Sequence, residues 1–93
     1  MEKQVIGIDV SKAQLDVGQA GSKKVDRWGN NPSERDKLCA WLAEQQTDLV
    51  VVEATGGYEN GIVSDLIERG IPVAIANPAR VRALAKAEGL LAT

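Results

Sequence analysis

The chain has 93 residues, of which 44% are hydrophobic and 26% charged, with a formal net charge of −2 and a pI near 5.0. This size predicts one small domain spanning residues 1–93, and the mild acidity excludes a basic surface that grips nucleic acid along its whole length. The absence of histidine and the single Cys39 exclude zinc fingers, Ser-His-Asp triads and internal disulfides. The sequence has neither a signal peptide nor an apolar run long enough to cross a membrane, which predicts a cytoplasmic protein.

The amino-terminal third of the chain predicts three strands. The apolar run Val5-Ile6-Gly7-Ile8 predicts a first strand over residues 4–11. Residues 13–19 and 23–28 alternate apolar and polar side chains around a loop that contains Gly21-Ser22. This alternation predicts a hairpin of two further strands.

A helix start follows the hairpin. Asn31 can cap a helix, Pro32 suits the first helical position, and Glu34 lies three residues after the cap. These residues predict a helix over residues 32–46. Its apolar stripe comprises Leu38, Trp41 and Leu42, with Cys39 beside it as a small core residue.

Two strand–helix units complete the chain. Residues 49–54 are apolar without alternation, which predicts a strand buried on both faces at the centre of the sheet. Thr55-Gly56-Gly57 opens a helix that Gly70 ends, and residues 71–76 form a fifth strand. A third helix begins near Ala79. The apolar positions of these two helices are Ile62, Val63, Leu66 and Ile67 in the first, and Val81, Leu84 and Ala85 in the second.

The predicted order is strand, hairpin, helix, strand, helix, strand, helix. Three strands in sequence followed by two crossovers predict an α/β fold with a mixed five-stranded sheet and helices on its faces. Ribonuclease H-like folds use this order.

Two acids occupy matched positions in this scheme. Asp9 closes the first apolar strand and Glu53 closes the fourth, so both lie at the carboxyl ends of strands. If the strands are neighbours, the acids meet at the rim where α/β sheets place their ligand sites. Carboxylates there are costly to desolvate unless a cation compensates them, so the pair is a candidate metal and catalytic site. The structural alternative for Asp9 is a turn or capping role.

Other acids fit solvated helix positions better than a metal site. They are Glu59, Asp65, Glu68 and Glu88.

Several residues near the acids are candidate nucleic-acid contacts, each with a structural alternative. Lys12 follows Asp9 and either touches phosphate or is solvated. The pair Gly56-Gly57 either lets phosphate approach the backbone or forms a tight turn, and Tyr58 either reaches nucleic acid or packs.

The basic cluster after the last strand either binds DNA or RNA or forms a solvated helix face; it comprises Arg80, Arg82 and Lys86. Trp28 and Trp41 are better interpreted as packing residues than as base-stacking platforms.

Four separated blocks resemble one known family, and the resemblance covers nearly the whole chain. The blocks are Gly7-Ile8-Asp9-Val10-Ser11-Lys12, then Leu15-Asp16-Val17, then Val52-Glu53-Ala54-Thr55-Gly56-Gly57-Tyr58, then Val73-Ala74 with Asn77-Pro78 and Arg80-Val81-Arg82. In this order they resemble the amino-terminal domain of DEDD transposases of the insertion-sequence 110 family.

The resemblance implies a RuvC-like, ribonuclease H-class fold in which four acids hold Mg²⁺ or Mn²⁺ against a DNA phosphate. It also implies a carboxyl-terminal domain with a DNA-attacking serine, a non-coding guide RNA, and a prokaryotic, nucleoid-associated role in DNA transposition and recombination. Asp9 and Glu53 match the first two acids of the motif. The last two belong to a D-x-x-D element beyond the helix that ends near Gly89, and the chain stops at Thr93.

Half of the acidic site is therefore expected in this chain. Magnesium favours several oxygen ligands in octahedral geometry, so two carboxylates should hold it weakly. We expect the isolated chain to bind Mg²⁺ poorly and not to cut DNA.

Other functions compete with this one. A RuvC-type Holliday-junction resolvase also begins with a Gly-Ile-Asp strand, although the Glu-Ala-Thr-Gly-Gly-Tyr block favours the transposase. An actin-like or sugar-kinase domain would need the pattern Asp-x-Gly-x-Thr, where this chain has Ser11 and Ala13. A non-catalytic interaction module is the third alternative, with a homodimer as one way to cover apolar surface left exposed.

Overall fold

A computed structural model of the protein describes residues 3–19, 21–53 and 56–76. Seven elements follow one another in these ranges. They are β1 (Val5–Val10), β2 (Gln14–Gln19), β3 (Val25–Gly29), α1 (Pro32–Glu44), β4 (Leu49–Glu53), α2 (Asn60–Glu68) and β5 (Val73–Ala76). The third helix expected near Ala79 lies outside the described residues.

The five strands form one mixed sheet in the order β3-β2-β1-β4-β5. The pairs β1–β2 and β2–β3 are antiparallel, as a hairpin continuing from β1 requires. The pairs β1–β4 and β4–β5 are parallel, with helices in the two crossovers. The predicted α/β fold with a mixed five-stranded sheet is confirmed.

Helix α1 begins as the sequence predicts. The Asn31 side-chain oxygen accepts a 2.9 Å hydrogen bond from the Glu34 backbone N–H, and Pro32 occupies the first turn. The helix ends at Glu44, two residues before the expected end, and Gln46 then adopts a φ of 54°. The chain therefore turns sharply toward β4.

One face of the sheet holds the core. Along β1 the side chains of Ile6, Ile8 and Val10 are buried, and strand alternation puts all three on the same face. They belong to one cluster with residues of both described helices, so α1 and α2 pack against this face. The cluster comprises Ile6, Ile8, Val10, Leu15, Val17, Leu38, Cys39, Leu42, Val50, Val52, Ile62, Leu66 and Ile71. We call the opposite side, which the described helices leave uncovered, the open face.

The position of β4 differs from the prediction. Strand β1, not β4, is central, and only Val50 and Val52 of β4 are buried while its other side chains are half-buried. Leu49 and Val51 point to the open face, but β4 has a strand on each side, so these two side chains are still half-buried. Apolar residues therefore follow one another along the whole strand.

The apolar stripe of α2 is also narrower than predicted. Ile62 and Leu66 are buried and Val63 is partly buried, whereas Ile67 is 63% exposed. One residue beyond Leu66 turns the side chain about 100° around the helix axis, away from the sheet.

The tryptophans pack, as predicted. The rings of Trp28 and Trp41 lie 6.2 Å apart with an interplanar angle of 42°, and both pack against the core. None of the helices within the described ranges is long and apolar enough to cross a membrane.

Truncation of a core leucine should measure how strongly α1 holds the sheet. Leu42 is fully buried, so we expect Leu42→Ala to lower the free energy of unfolding by about 2–5 kcal/mol in urea denaturation. Glu44→Ala, at an exposed position of the same helix, is the control and should change it by less than about 0.5 kcal/mol. Equal effects of the two substitutions would contradict the packing of α1 on the core.

The buried Cys39 predicts low thiol reactivity. Burial raises the pKa of the Cys39 thiol, so the reactive thiolate is scarce near neutral pH. Labelling with a disulfide reagent at pH 8 should be slow in the native protein and fast in denaturant. Native labelling at the rate of an exposed thiol would show that Cys39 is accessible.

Candidate metal centre

The sheet brings Asp9 and Glu53 to neighbouring positions. The parallel ladder pairs Ile8 with Val52, so the next residue on each strand is one of the two acids. Ile8 and Val52 face the core, and strand alternation therefore directs both acids to the open face. Asp9 is exposed and Glu53 is half-buried. Both carboxylates lie at the carboxyl ends of adjacent parallel strands.

A third acid lies on the same face, although it does not end an apolar strand as the other two do. Asp16 of β2 pairs with Asp9 in the antiparallel ladder, so the two side chains share the open face. The alternation of β2 identifies Asp16 as a residue of the open face. Its neighbours Leu15 and Val17 are apolar and buried, so the side chain between them points away from the core.

Arg27 neutralises Asp16. The Arg27 Nε donates a 2.9 Å hydrogen bond to Asp16 Oδ1, and this bond together with the charge of Asp16 raises the pKa of Arg27. The Arg27 side chain is 65% exposed, so the pair contributes little to stability. The charge of Asp16 is therefore partly compensated by a neighbouring cation.

The acids border an open depression of about 520 Å³. Most of its lining residues occupy strand positions on the open face, and three of them are acids. Its lining includes Val5, Val25, Val51, Asp9, Asp16 and Glu53. The open face thus combines an apolar floor with a charged rim.

The donor atoms suit a hard divalent cation, although their number is small. Carboxylate oxygens are the ligands that Mg²⁺ and Mn²⁺ prefer. Within residues 3–19, 21–53 and 56–76, no group of three or more histidine, cysteine or acidic side chains is arranged to hold a metal ion. The described residues therefore supply two of the carboxylate ligands that a divalent cation needs, from Asp9 and Glu53. Asp16 lies next to this pair.

A glycine turn follows Glu53. Gly56 and Gly57 have φ values of 74° and 118°, which favour glycine, so a tight turn accounts for this pair. Helix α2 begins only at Asn60, later than the predicted start. Tyr58 is 50% exposed at this turn.

Two acids expected to be solvated are held in contacts instead. Glu59 is only 8% exposed, and its Oε2 accepts a 2.9 Å hydrogen bond from the Gly57 backbone N–H, because the turn folds back onto it. Asp65 accepts a 2.8 Å hydrogen bond from Arg35 Nε, at side-chain exposures of 25% and 17%. Glu68 is exposed as predicted, and Glu88 lies outside the described residues.

The nucleic-acid candidates are only partly described. Lys12 is exposed in the turn after β1, close in sequence to Asp9. Gly56, Gly57 and Tyr58 lie in the turn after Glu53, so both groups flank the acids. The basic residues Arg80, Arg82 and Lys86 lie outside the described residues.

Comparison with known proteins identifies the family. The family model for transposases of the IS110 DEDD type matches residues 6–89. The chain belongs to this family. Comparison with curated proteins gives no significant match.

Two solved structures of Thermus thermophilus RuvC share the fold. RuvC in complex with a Holliday junction substrate superimposes with a TM-score of 0.65 at 18% identity, covering 88% of this chain and 69% of that chain. A second T. thermophilus RuvC structure gives 0.54 at 20% identity, covering 81% and 62%. The predicted RuvC-like fold is confirmed.

The turn after Glu53 should depend on glycine. At a φ of 118°, an alanine at position 57 is strained, so we expect Gly57→Ala to lower the free energy of unfolding by about 1–2 kcal/mol. Gly18→Ala is the control. A Cβ there lies 3.7 Å from the nearest atom, an ordinary contact, so the change should be neutral or stabilising by urea denaturation. Equal effects of the two substitutions would contradict the turn geometry.

Proposed function

We propose that this chain is the metal-binding amino-terminal part of a DNA transposase, with Asp9 and Glu53 as metal ligands and catalytic residues. The observation that supports this most is that adjacent strands direct both acids to the open face from neighbouring positions, in a member of the DEDD transposase family. A structural role for Asp9 alone would not require a second acid beside it.

The chemistry of the site follows from its residues. A bound Mg²⁺ or Mn²⁺ would neutralise charge at a DNA phosphate and orient a water for attack on it. Asp9 and Glu53 would supply carboxylate oxygens from paired strands, which hold ligands more rigidly than loops do. Asp16 lies beside them in a solvent-exposed ion pair with Arg27.

The remaining parts of the machinery are proposed from the family. They are the second pair of acids in a D-x-x-D element, a carboxyl-terminal domain with a serine that attacks DNA, and a guide RNA. A homodimer is proposed on a different ground, as one way to cover apolar surface left exposed. With one acid pair alone, the isolated chain binds Mg²⁺ or Mn²⁺ weakly and leaves DNA uncut.

DNA would approach the rim that carries the acids. Lys12 and Tyr58 are exposed beside it and can contact the sugar–phosphate backbone. The Gly57 N–H donates to Glu59, so a phosphate bound by this amide would have to displace that carboxylate. Contacts from Arg80, Arg82 and Lys86 belong to the same proposal.

A Holliday-junction resolvase is the second candidate, favoured by the likeness to RuvC bound to a junction. The two functions differ in substrate. DNA-binding measurements on the full-length protein compare the two functions. If it binds four-way junctions no better than duplex transposon ends, the transposase function is favoured over the resolvase function.

Weak metal binding should be visible by NMR at single residues. In titrations with Mn²⁺, paramagnetic broadening should begin at the amide signals of residues 9, 10, 52 and 53. Asp9→Asn and Glu53→Gln should each abolish the effect there, because one carboxylate cannot retain the ion.

Asp26→Asn is the matched control for this experiment. Asp26 is an exposed acid that pairs with Val17, so it lies on the core side of the sheet rather than on the open face. The substitution removes the same charge and should leave the broadening unchanged. Broadening that persists in Asp9→Asn, or that Asp26→Asn reduces equally, would count against a site at the acid pair.

A further inference from the structure

We propose that Asn30 is a positioning residue for the acid pair, because its side-chain amide ties together the two loops that follow Asp9 and Glu53. This inference rests on the proposed function and names a residue outside the acidic motif.

The acids lie just beyond the contact that would fix their spacing. The ladder between β1 and β4 ends at the pair Ile8–Val52, one residue before both acids. Each acid is held on its other side, Asp9 against Asp16 and Glu53 against Ala76. A contact between the two segments that follow the acids would therefore restrain the distance between Asp9 and Glu53 beyond the end of the ladder.

Asn30 provides such a contact. Its Nδ2 donates to the Ser11 carbonyl oxygen at 2.9 Å and to the Tyr58 carbonyl oxygen at 3.1 Å. Ser11 follows Asp9 by two residues, and Tyr58 lies in the turn after Glu53. The Asn30 backbone N–H also donates to the Ala13 carbonyl oxygen at 2.9 Å, so Asn30 is anchored to the first loop twice.

A cation fixes the orientation of the Asn30 amide. Its Oδ1 accepts a 3.2 Å hydrogen bond from Arg35 Nη1, while Arg35 Nε is paired with Asp65 of α2. Two carbonyl oxygens on one side and a guanidinium on the other allow the amide only one arrangement. The Asn30 side-chain amide therefore donates two hydrogen bonds and accepts one.

Helix α2 leaves room for this guanidinium. A Cβ at position 61 would lie 2.8 Å from Arg35 Cζ, so glycine allows Arg35 to lie against the helix. The contacts run from α2 through Arg35 and Asn30 to both loops. Metal affinity depends on ligands held within about 0.5 Å of their bound positions, and these contacts reduce the freedom of the acid-bearing ends.

The substitution Asn30→Asp separates positioning from charge. Aspartate has the same shape and keeps the acceptor for Arg35, but it cannot donate to the two carbonyl oxygens. Its added negative charge would by itself strengthen cation binding. We therefore expect the Mn²⁺ dissociation constant, from NMR broadening at residues 9 and 53 of the whole chain, to rise about fivefold or more (about 1 kcal/mol).

Asn31→Asp is the matched control. It makes the same chemical change one residue away, at the helix cap, where aspartate caps as well as asparagine does. It should leave the dissociation constant within twofold of wild type. Ile62→Val, which removes a buried methyl group and lowers stability in the core, should also leave it unchanged and so separates metal affinity from stability.

A second pair of variants tests the same proposal if Asn30→Asp does not fold. Serine at position 30 is too short to reach both carbonyl oxygens and places no charge against them, and Asn31→Ser retains a good cap. Asn30→Ser should weaken Mn²⁺ binding as Asn30→Asp does, and Asn31→Ser should not.

The outcomes distinguish the two proposals. If Asp9→Asn and Glu53→Gln abolish binding while the folded Asn30 variants bind Mn²⁺ within twofold of wild type, the positioning role is wrong and the proposed function stands. If binding does not depend on Asp9 and Glu53 at all, the proposed function fails, and the role of Asn30 fails with it.

Discussion

The parallel pairing of β1 with β4 is the constraint on which the site depends. It aligns Ile8 with Val52 on the core side, and the alternation of the strands then sets Asp9 beside Glu53 on the open face. A shift of one residue in either strand would turn its acid into the apolar core, at a large desolvation cost. The same apolar packing that stabilises the sheet therefore also fixes the side on which the acids lie.

Local patterns in the sequence were sufficient for most of the fold. The Asn31 cap, the alternation around Leu15 and the apolar run before Glu53 each depend on neighbours a few residues apart, and each predicted its element correctly. The central strand was misassigned because an apolar run does not reveal whether its second face is covered. The exposure of Ile67 was missed for a related reason, since the width of a helix stripe depends on what it packs against.

The polar contacts around the site could not be predicted in the same way. Asn30 reaches Tyr58 over 28 positions and Arg35 reaches Asp65 over 30, so no local spacing marks them. Glu59 and Asp65 have the composition of ordinary surface acids, and only the three-dimensional structure shows that they are held by a backbone amide and a guanidinium. The acid pair itself was accessible from sequence because both members end apolar strands. The sequence indicated where the two acids lie but not how the surrounding loops are restrained.

The most direct test of this account is anomalous scattering from crystals of the chain grown with Mn²⁺. We predict a peak on the open face, within about 2 Å of carboxylate oxygens from both Asp9 and Glu53. A peak bound by other residues, or bound by one of the two acids without the other, would contradict the shared site on which the proposed function rests.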